Sequence, residues 1–236
     1  MDVDSGYIAL RLLSFVVQLQ GVTMKFATTK FSSLVLRLGL CSALCLAFLI
    51  PISVHALDTH DGKLVYRGFT VDMSDVQGEP NLAEIEAYAK HQLDIVADCG
   101  VKEELLTFFR SESIIMNRGA GGGGGHSMNG GIMLDPKPQK ASKPIFLHEF
   151  MHSLHHGYLP QGNRNPDVLL YYQRAKSSNL YPADAYVLKN PGEFFAVTGS
   201  LYLWGTVDRP PFTRAALEKA QPNYCQWLAK LFGVQK

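Results

Sequence analysis

Residues 148–152 read His-Glu-Phe-Met-His, and the fold and chemistry of this chain are best inferred outward from them. We expect a helix here, because Pro144 suits a helix start and apolar residues recur after it at helical spacing. On a helix, His148 and His152 project from one face, one turn apart, so both imidazoles can reach one Zn²⁺ at about 2.0–2.1 Å. Glu149 lies beside the first histidine, where its carboxylate can take a proton from a zinc-bound water. The stretch therefore predicts a zinc site with a general base, and a pair of surface histidines is the alternative.

A catalytic zinc needs a third protein ligand and one open position for water. Glu193 is our candidate, in the stretch NPGEFFA at residues 190–196. Asn190 and Pro191 predict a helix start, so Glu193 could instead be a capping-box residue at the third helical position. We favour the ligand role, because the carboxylate lies next to the apolar face of this helix and a buried carboxylate needs a partner.

The other histidines near these motifs are expected to stay off the metal. His155 shares a face with the two ligand histidines, but three ligands on one straight helix do not close around a tetrahedral ion. We expect His155 to support the ligands instead. His156 should be exposed. His126 lies in a glycine-rich segment, residues 119–131, which we interpret as a flexible hairpin tip beside a cleft.

The remaining sequence predicts an α+β fold with a small sheet and a mostly helical C-terminal half. Residues 63–73 are rich in Val, Tyr, Phe and Thr and predict a strand or hairpin. Apolar residues at helical spacing predict a helix between Pro80 and Gly100. Further strands are expected at residues 113–117 and 132–134, and the second could pair with an extended peptide.

Residues 1–56 have the pattern of a signal peptide. Basic residues precede an apolar stretch at residues 38–50, and Val-His-Ala follows, ending at Ala56. The apolar stretch is shorter than the roughly 20 residues of a membrane span, although an uncleaved anchor remains the alternative. The true start could also be Met24. We expect a secreted or periplasmic protein whose residues 57–236 form a single domain, with no membrane contact after cleavage.

Charge and composition exclude other classes of protein. Lys and Arg number 22 against 21 Asp and Glu, a net charge of +1 that argues against a nucleic-acid surface. The 47% apolar content argues against disorder. Cys99 and Cys225 would meet an oxidising compartment, where they either form a disulfide or remain two unrelated buried thiols. We expect a monomer whose partner is a peptide or protein substrate.

HEFMH followed by NPGEFFA resembles the gluzincins, the zincin metallopeptidases whose third ligand is a downstream glutamate. Within them the chain is most similar to the anthrax lethal-factor-like catalytic domain that the Pro-Pro endopeptidases share. In that family, a tyrosine seven residues before the glutamate ligand lies over the zinc and stabilises the tetrahedral intermediate. Tyr186 occupies that position before Glu193. The resemblance covers about residues 110–236, and the glycine-rich segment departs from it.

The resemblance implies a zincin-like fold and an exported zinc metalloendopeptidase. His148, His152 and Glu193 would hold one Zn²⁺. Glu149 would act as the general base on the zinc-activated water, and Tyr186 would donate a hydrogen bond to the developing oxyanion. Two alternatives stay open at this point: a secreted binding protein that keeps the scaffold without turnover, and a zinc amidase that acts on cell-wall peptides.

Overall fold

The computed structural model describes residues 59–120, 124–126, 131–140 and 142–234, which all belong to one compact unit. The signal peptide predicted at residues 1–56 and the alternative start at Met24 lie outside the described residues, and so does part of the glycine-rich segment.

An antiparallel hairpin lies where the sequence predicts it. Thr59–His60 (β1) pairs with Lys63–Tyr66 (β2), which pairs with Phe69–Asp72 (β3). The turn between β2 and β3 consists of Arg67 and Gly68, both at positive φ. Two-residue hairpin turns with positive φ are favoured because their twist matches the twist of the strands on either side. Alternate strand residues face the core, as the pleat of a half-buried sheet requires.

Three further short strands complete a six-stranded sheet in the order β1-β2-β3-β4-β6-β5. Ile114–Met116 (β4) runs parallel to β3, and Ile132–Leu134 (β6) runs parallel to β4. Gly124–His126 (β5) pairs antiparallel with β6 and lies at the edge. The prediction that residues 132–134 could pair with a peptide is therefore wrong, because both sides of β6 are already paired. The interpretation of residues 124–126 as a flexible tip is also wrong, since they form the edge strand.

Helices make up most of the rest of the described chain, so the predicted α+β class is confirmed. They are Leu82–Ala97 (α1), Glu103–Ser111 (α2), Ile145–Ser153 (α3), Pro166–Ser177 (α4), Pro191–Trp204 (α5), Arg214–Ala220 (α6) and Pro222–Phe232 (α7). The HEFMH stretch lies in α3, and α1 and α2 form the crossover between the parallel strands β3 and β4.

Helix α5 is the centre of the helical half and packs mainly against α3. The sequence predicts one buried face for this helix, but every residue from Phe194 to Leu203 is buried. Two polar residues are accommodated because the hydroxyls of Thr198 and Ser200 donate to carbonyls four residues back, at 2.6 and 2.7 Å. Gly199 allows the close approach of the two helices, since a Cβ there would lie 3.0 Å from Met151 Sδ.

Cys99 and Cys225 are both thiols, so the disulfide considered from the sequence is not formed. Cys225 is buried in α7, whereas Cys99 lies in the turn that follows α1. Burial raises the pKa of Cys99 to about 11, which keeps this thiol protonated at neutral pH.

Among the described helices, none is both long enough and apolar enough to cross a bilayer.

Candidate metal centre and cleft

The start of helix α3 is fixed by side chains from two other helices. Gln92 of α1 is fully buried; its amide donates to the carbonyl of Lys143 at 2.8 Å, and the N–H of Phe146 donates to Gln92 Oε1 at 3.2 Å. The indole N–H of Trp204 donates to the carbonyl of Ser142 at 3.1 Å. The bond from Phe146 pairs an N–H that a helix start leaves without an intrahelical partner, and the other two bonds tie the residues just before α3 to α1 and α5.

The structure brings His148, His152 and Glu193 together. Glu193 Oε2 lies 3.4 Å from Nε2 of His148 and 3.5 Å from Nε2 of His152. Three candidate ligand atoms, one from each residue, lie within 4.8 Å of one another. For bonds of about 2.0–2.1 Å, neighbouring ligand atoms of a tetrahedral zinc ion are separated by about 3.3–3.4 Å. The two short separations fit such an ion.

The helix cap before Glu193 uses the backbone of this residue and leaves its carboxylate to face the histidines. Its backbone N–H donates to Asn190 Oδ1 at 2.9 Å, so Asn190 caps α5 while the Glu193 carboxylate faces His148 and His152. Glu193 Oε2 is buried and accepts no hydrogen bond from any described residue. An orphaned buried acceptor is costly, and a cation between it and two imidazole nitrogens would remove that cost. This donor set suits a divalent metal such as zinc.

The electrostatics of Glu193 agree with a ligand role. Burial alone would raise the pKa of this carboxyl group, but the facing His148, His152 and Tyr186 outweigh burial and lower it. The carboxylate is therefore ionised at neutral pH, which is the form that binds a metal.

Glu149 is only 6% exposed and lies beside the metal ligands, under the edge strand β5. Burial raises its pKa to about 7, with His152 opposing the shift and Glu193 adding to it. A Cβ placed on Gly124 would lie 2.7 Å from Glu149 Cγ and 2.9 Å from its Oε1. Only glycine fits over this carboxylate without displacing it. The sequence shows that position 124 is glycine but not that Glu149 lies opposite, so sequence reasoning misses this contact.

Tyr186 lies at the mouth of the same cleft, on the single helical turn Tyr186–Leu188. The Tyr172 hydroxyl donates to the carbonyl of Leu188 at 3.0 Å and holds this turn against α4. Partial burial raises the pKa of Tyr186, and the nearby negative charge of the Glu193 carboxylate raises it further. The phenol therefore keeps its proton and remains a hydrogen-bond donor.

His155 is fully buried, and neither ring nitrogen has a hydrogen-bond partner among the described residues. It lies in the π-helical turn Leu154–Tyr158, with its ring centroid 5.4 Å from that of Phe195. Burial lowers its pKa to about 4. His155 does not belong to the candidate ligand group, whereas His156 is exposed as predicted. The side chain of His126 lies outside the described part of the chain.

These residues surround a cleft of about 220 Å³. His148, Glu149 and Tyr186 line it from the metal side, Gly124 lines it from the edge strand, and Arg209 lines it next to Tyr186. The cleft therefore brings together a candidate metal ligand, His148, and a candidate base, Glu149. It also contains a hydrogen-bond donor, Tyr186, and a cationic side chain, Arg209.

The sequence and the structure were compared with known families, curated proteins and solved structures. No family model matches the sequence, and no curated protein matches it. The chain is similar to the Pro-Pro endopeptidase PPEP-2 from Paenibacillus alvei, with 21% identity and a TM-score of 0.47 over 66% of this chain and 95% of that chain. The function assigned below therefore depends on the geometry of this chain's own residues.

Proposed function

We propose that this protein is a zinc-dependent metalloendopeptidase with a zincin-like catalytic domain, related to the lethal-factor-like and Pro-Pro endopeptidases. The observation that carries the proposal is the convergence of His148, His152 and Glu193 at separations that suit a tetrahedral ion. Glu149 and Tyr186 line the same cleft, so a base and a hydrogen-bond donor are in reach of the same reacting group. Export after removal of residues 1–56 and action as a monomer complete the proposal.

The two histidines and Glu193 would hold the metal, which supplies a Lewis acid that polarises a carbonyl and acidifies a water. Glu149 would take a proton from the attacking water on its buried carboxylate and return that proton to the leaving amine, since it lines the cleft beside His148. Tyr186 donates its hydroxyl proton toward the oxygen that becomes negative, a contribution of about 3 kcal/mol for one such donor.

An extended peptide can add to the edge strand of the sheet. Because β5 occupies the edge and Gly124 covers Glu149, a strand added there would pass next to the catalytic carboxylate. Its main-chain groups would pair with β5, and this would place one carbonyl near the metal centre. This arrangement supports a peptide substrate over a small amide.

Hydrolysis of a quenched peptide library tests the proposal. Activity should disappear with a chelator, return with zinc, and be absent in Glu149→Gln, which keeps the side-chain volume but loses the base. Glu84→Gln, on an exposed position of α1, is the matched control and should retain activity. Peptide binding without turnover would favour a binding protein, and cleavage confined to cell-wall peptides would favour an amidase.

A further inference from the structure

Arg209 lies over the ring of Tyr186. Its guanidinium carbon is 4.3 Å from the ring centroid, a distance typical of a stacked cation–π pair. Lys189 Nζ is also near this ring, at 5.2 Å from the centroid. Two cationic side chains therefore flank the tyrosine at the mouth of the cleft.

Arg209 differs from the other cations of this region because it has no anionic partner. Lys143 pairs with Asp208 at 3.3 Å, and Lys189 lies 3.9 Å from Glu193 Oε1. The Arg209 guanidinium forms neither an ion pair nor a hydrogen bond with any residue that the structure describes. A guanidinium whose carbon lies over an aromatic ring still has N–H groups at its edges, and these can bind a carboxylate through two parallel hydrogen bonds.

The loop that carries Arg209 is held in position. The N–H of Val207 donates to the carbonyl of Phe212 at 2.9 Å, and Thr206 and Thr213 form a β-bridge at the base of the loop. The ion pair between Lys143 and Asp208 also ties the loop to the start of α3. Arg209 is therefore presented to the cleft by an ordered hairpin, which limits the entropy lost when it binds a ligand.

We propose that Arg209 selects substrates that carry a carboxylate close to the scissile bond. Arg209 and Tyr186 line the same cleft as the metal ligand His148, so a group bound by Arg209 lies within about three peptide residues of the bond to be cleaved, at about 3.3 Å per residue. The carboxylate is either an Asp or Glu side chain or the C-terminus of the peptide. This inference rests on the proposed peptidase function and adds the substrate class: peptides that carry a carboxylate close to the scissile bond.

Paired peptides test this inference. Glu is compared with Gln at each of the three positions on either side of the scissile bond, each in C-terminally amidated and free-acid form. At one position, wild-type kcat/KM should favour Glu by about tenfold, as one charge-assisted pair at a partly exposed site predicts. In Arg209→Gln, the ratio of kcat/KM for the Glu peptide to kcat/KM for the Gln peptide should fall to near one. Arg164→Gln, an exposed position outside the cleft, removes the same charge and should leave the ratio at its wild-type value.

The arms of the experiment separate the possible outcomes. A preference that survives amidation identifies an acidic side chain, and a preference for the free acid identifies the C-terminal carboxylate. Hydrolysis with equal rates for all Glu and Gln peptides overturns the role of Arg209 and leaves the peptidase proposal intact. If the wild type cleaves no peptide, the peptidase proposal fails, and binding of the labelled peptides by fluorescence anisotropy still tests Arg209. Equal affinity for the Glu and Gln forms would then refute it.

Discussion

Replacing Gly124 with alanine should remove most of the activity while leaving the fold intact. The backbone of Gly124 lies outside the left-handed region, so alanine can adopt it without strain. The added Cβ would lie 2.7 Å from Glu149 Cγ, where unstrained carbon contacts are about 3.5–4.0 Å. Since β5 is hydrogen-bonded to β6, the flexible Glu149 side chain is the group that moves.

The size of the effect follows from the size of that displacement. Relief of the contact needs a movement of about 1 Å at the Glu149 carboxylate, and a misplacement of about 1 Å can cost about 100-fold in rate. The free energy of unfolding should fall by about 1–3 kcal/mol, the usual cost of one added methyl group at a packed site, and the protein should stay folded because the clash involves one side chain that can rotate. Metal binding should be unaffected, since Glu149 is not a ligand.

Gly125→Ala is the matched control, because a Cβ at this neighbouring glycine meets no atom of the described residues within 4 Å. The assay compares kcat/KM, zinc content and urea denaturation for wild type, Gly124→Ala and Gly125→Ala. We expect about a 100-fold loss of kcat/KM for Gly124→Ala and a change of less than about twofold for Gly125→Ala. Equal activity of the two variants, with both folded and metal-loaded, would show that β5 does not confine Glu149.

Two other substitutions probe the cleft and the buried histidine. Tyr186→Phe should lower kcat by about 10- to 1000-fold at nearly constant KM, because the hydrogen bond acts on the transition state; steady-state kinetics measure this, and an unchanged kcat would make Tyr186 structural. His155 is held neutral by the fold with a pKa of about 4, whereas the unfolded chain takes up a proton near the ordinary value of 6.5. Stability should therefore fall as the pH drops below 6.5, and from pH 7 to pH 5 the wild type should lose about 2 kcal/mol more than His155→Phe. Urea denaturation with chelator present measures the difference, and parallel pH curves for the two proteins would contradict it.

The parts of the site that could be predicted from the sequence are those that depend on the spacing of residues within a single helix. A four-residue separation places His148 and His152 on one helical face wherever that helix packs. Asn190 and Pro191 mark the start of α5 and so give the position of Glu193 within its first turn. The sequence leaves Glu193 as either a cap or a ligand, and only the structure shows that its carboxylate faces His148 and His152.

The parts that could not be predicted depend on contacts between distant segments. Glycine at position 124 indicates local flexibility, and only the pairing of β5 with β6 reveals that it covers Glu149. The full burial of α5 follows from packing on every side, which a single apolar stripe does not indicate. Arg209 was missed for the same reason, since its stacking on Tyr186 joins a loop and a helical turn that are separated in the sequence.

Metal content tests the central claim most directly. The protein is purified without chelator, and zinc per chain is measured by elemental mass spectrometry for the wild type, Glu193→Ala and the exposed control Glu84→Ala. We predict about one zinc per chain for the wild type and the control, and less than about a tenth of that for Glu193→Ala, because two histidines alone hold zinc weakly. Zinc retained at full stoichiometry in Glu193→Ala, or no zinc in the wild type after zinc is added back, would contradict the metal site on which the proposed function depends.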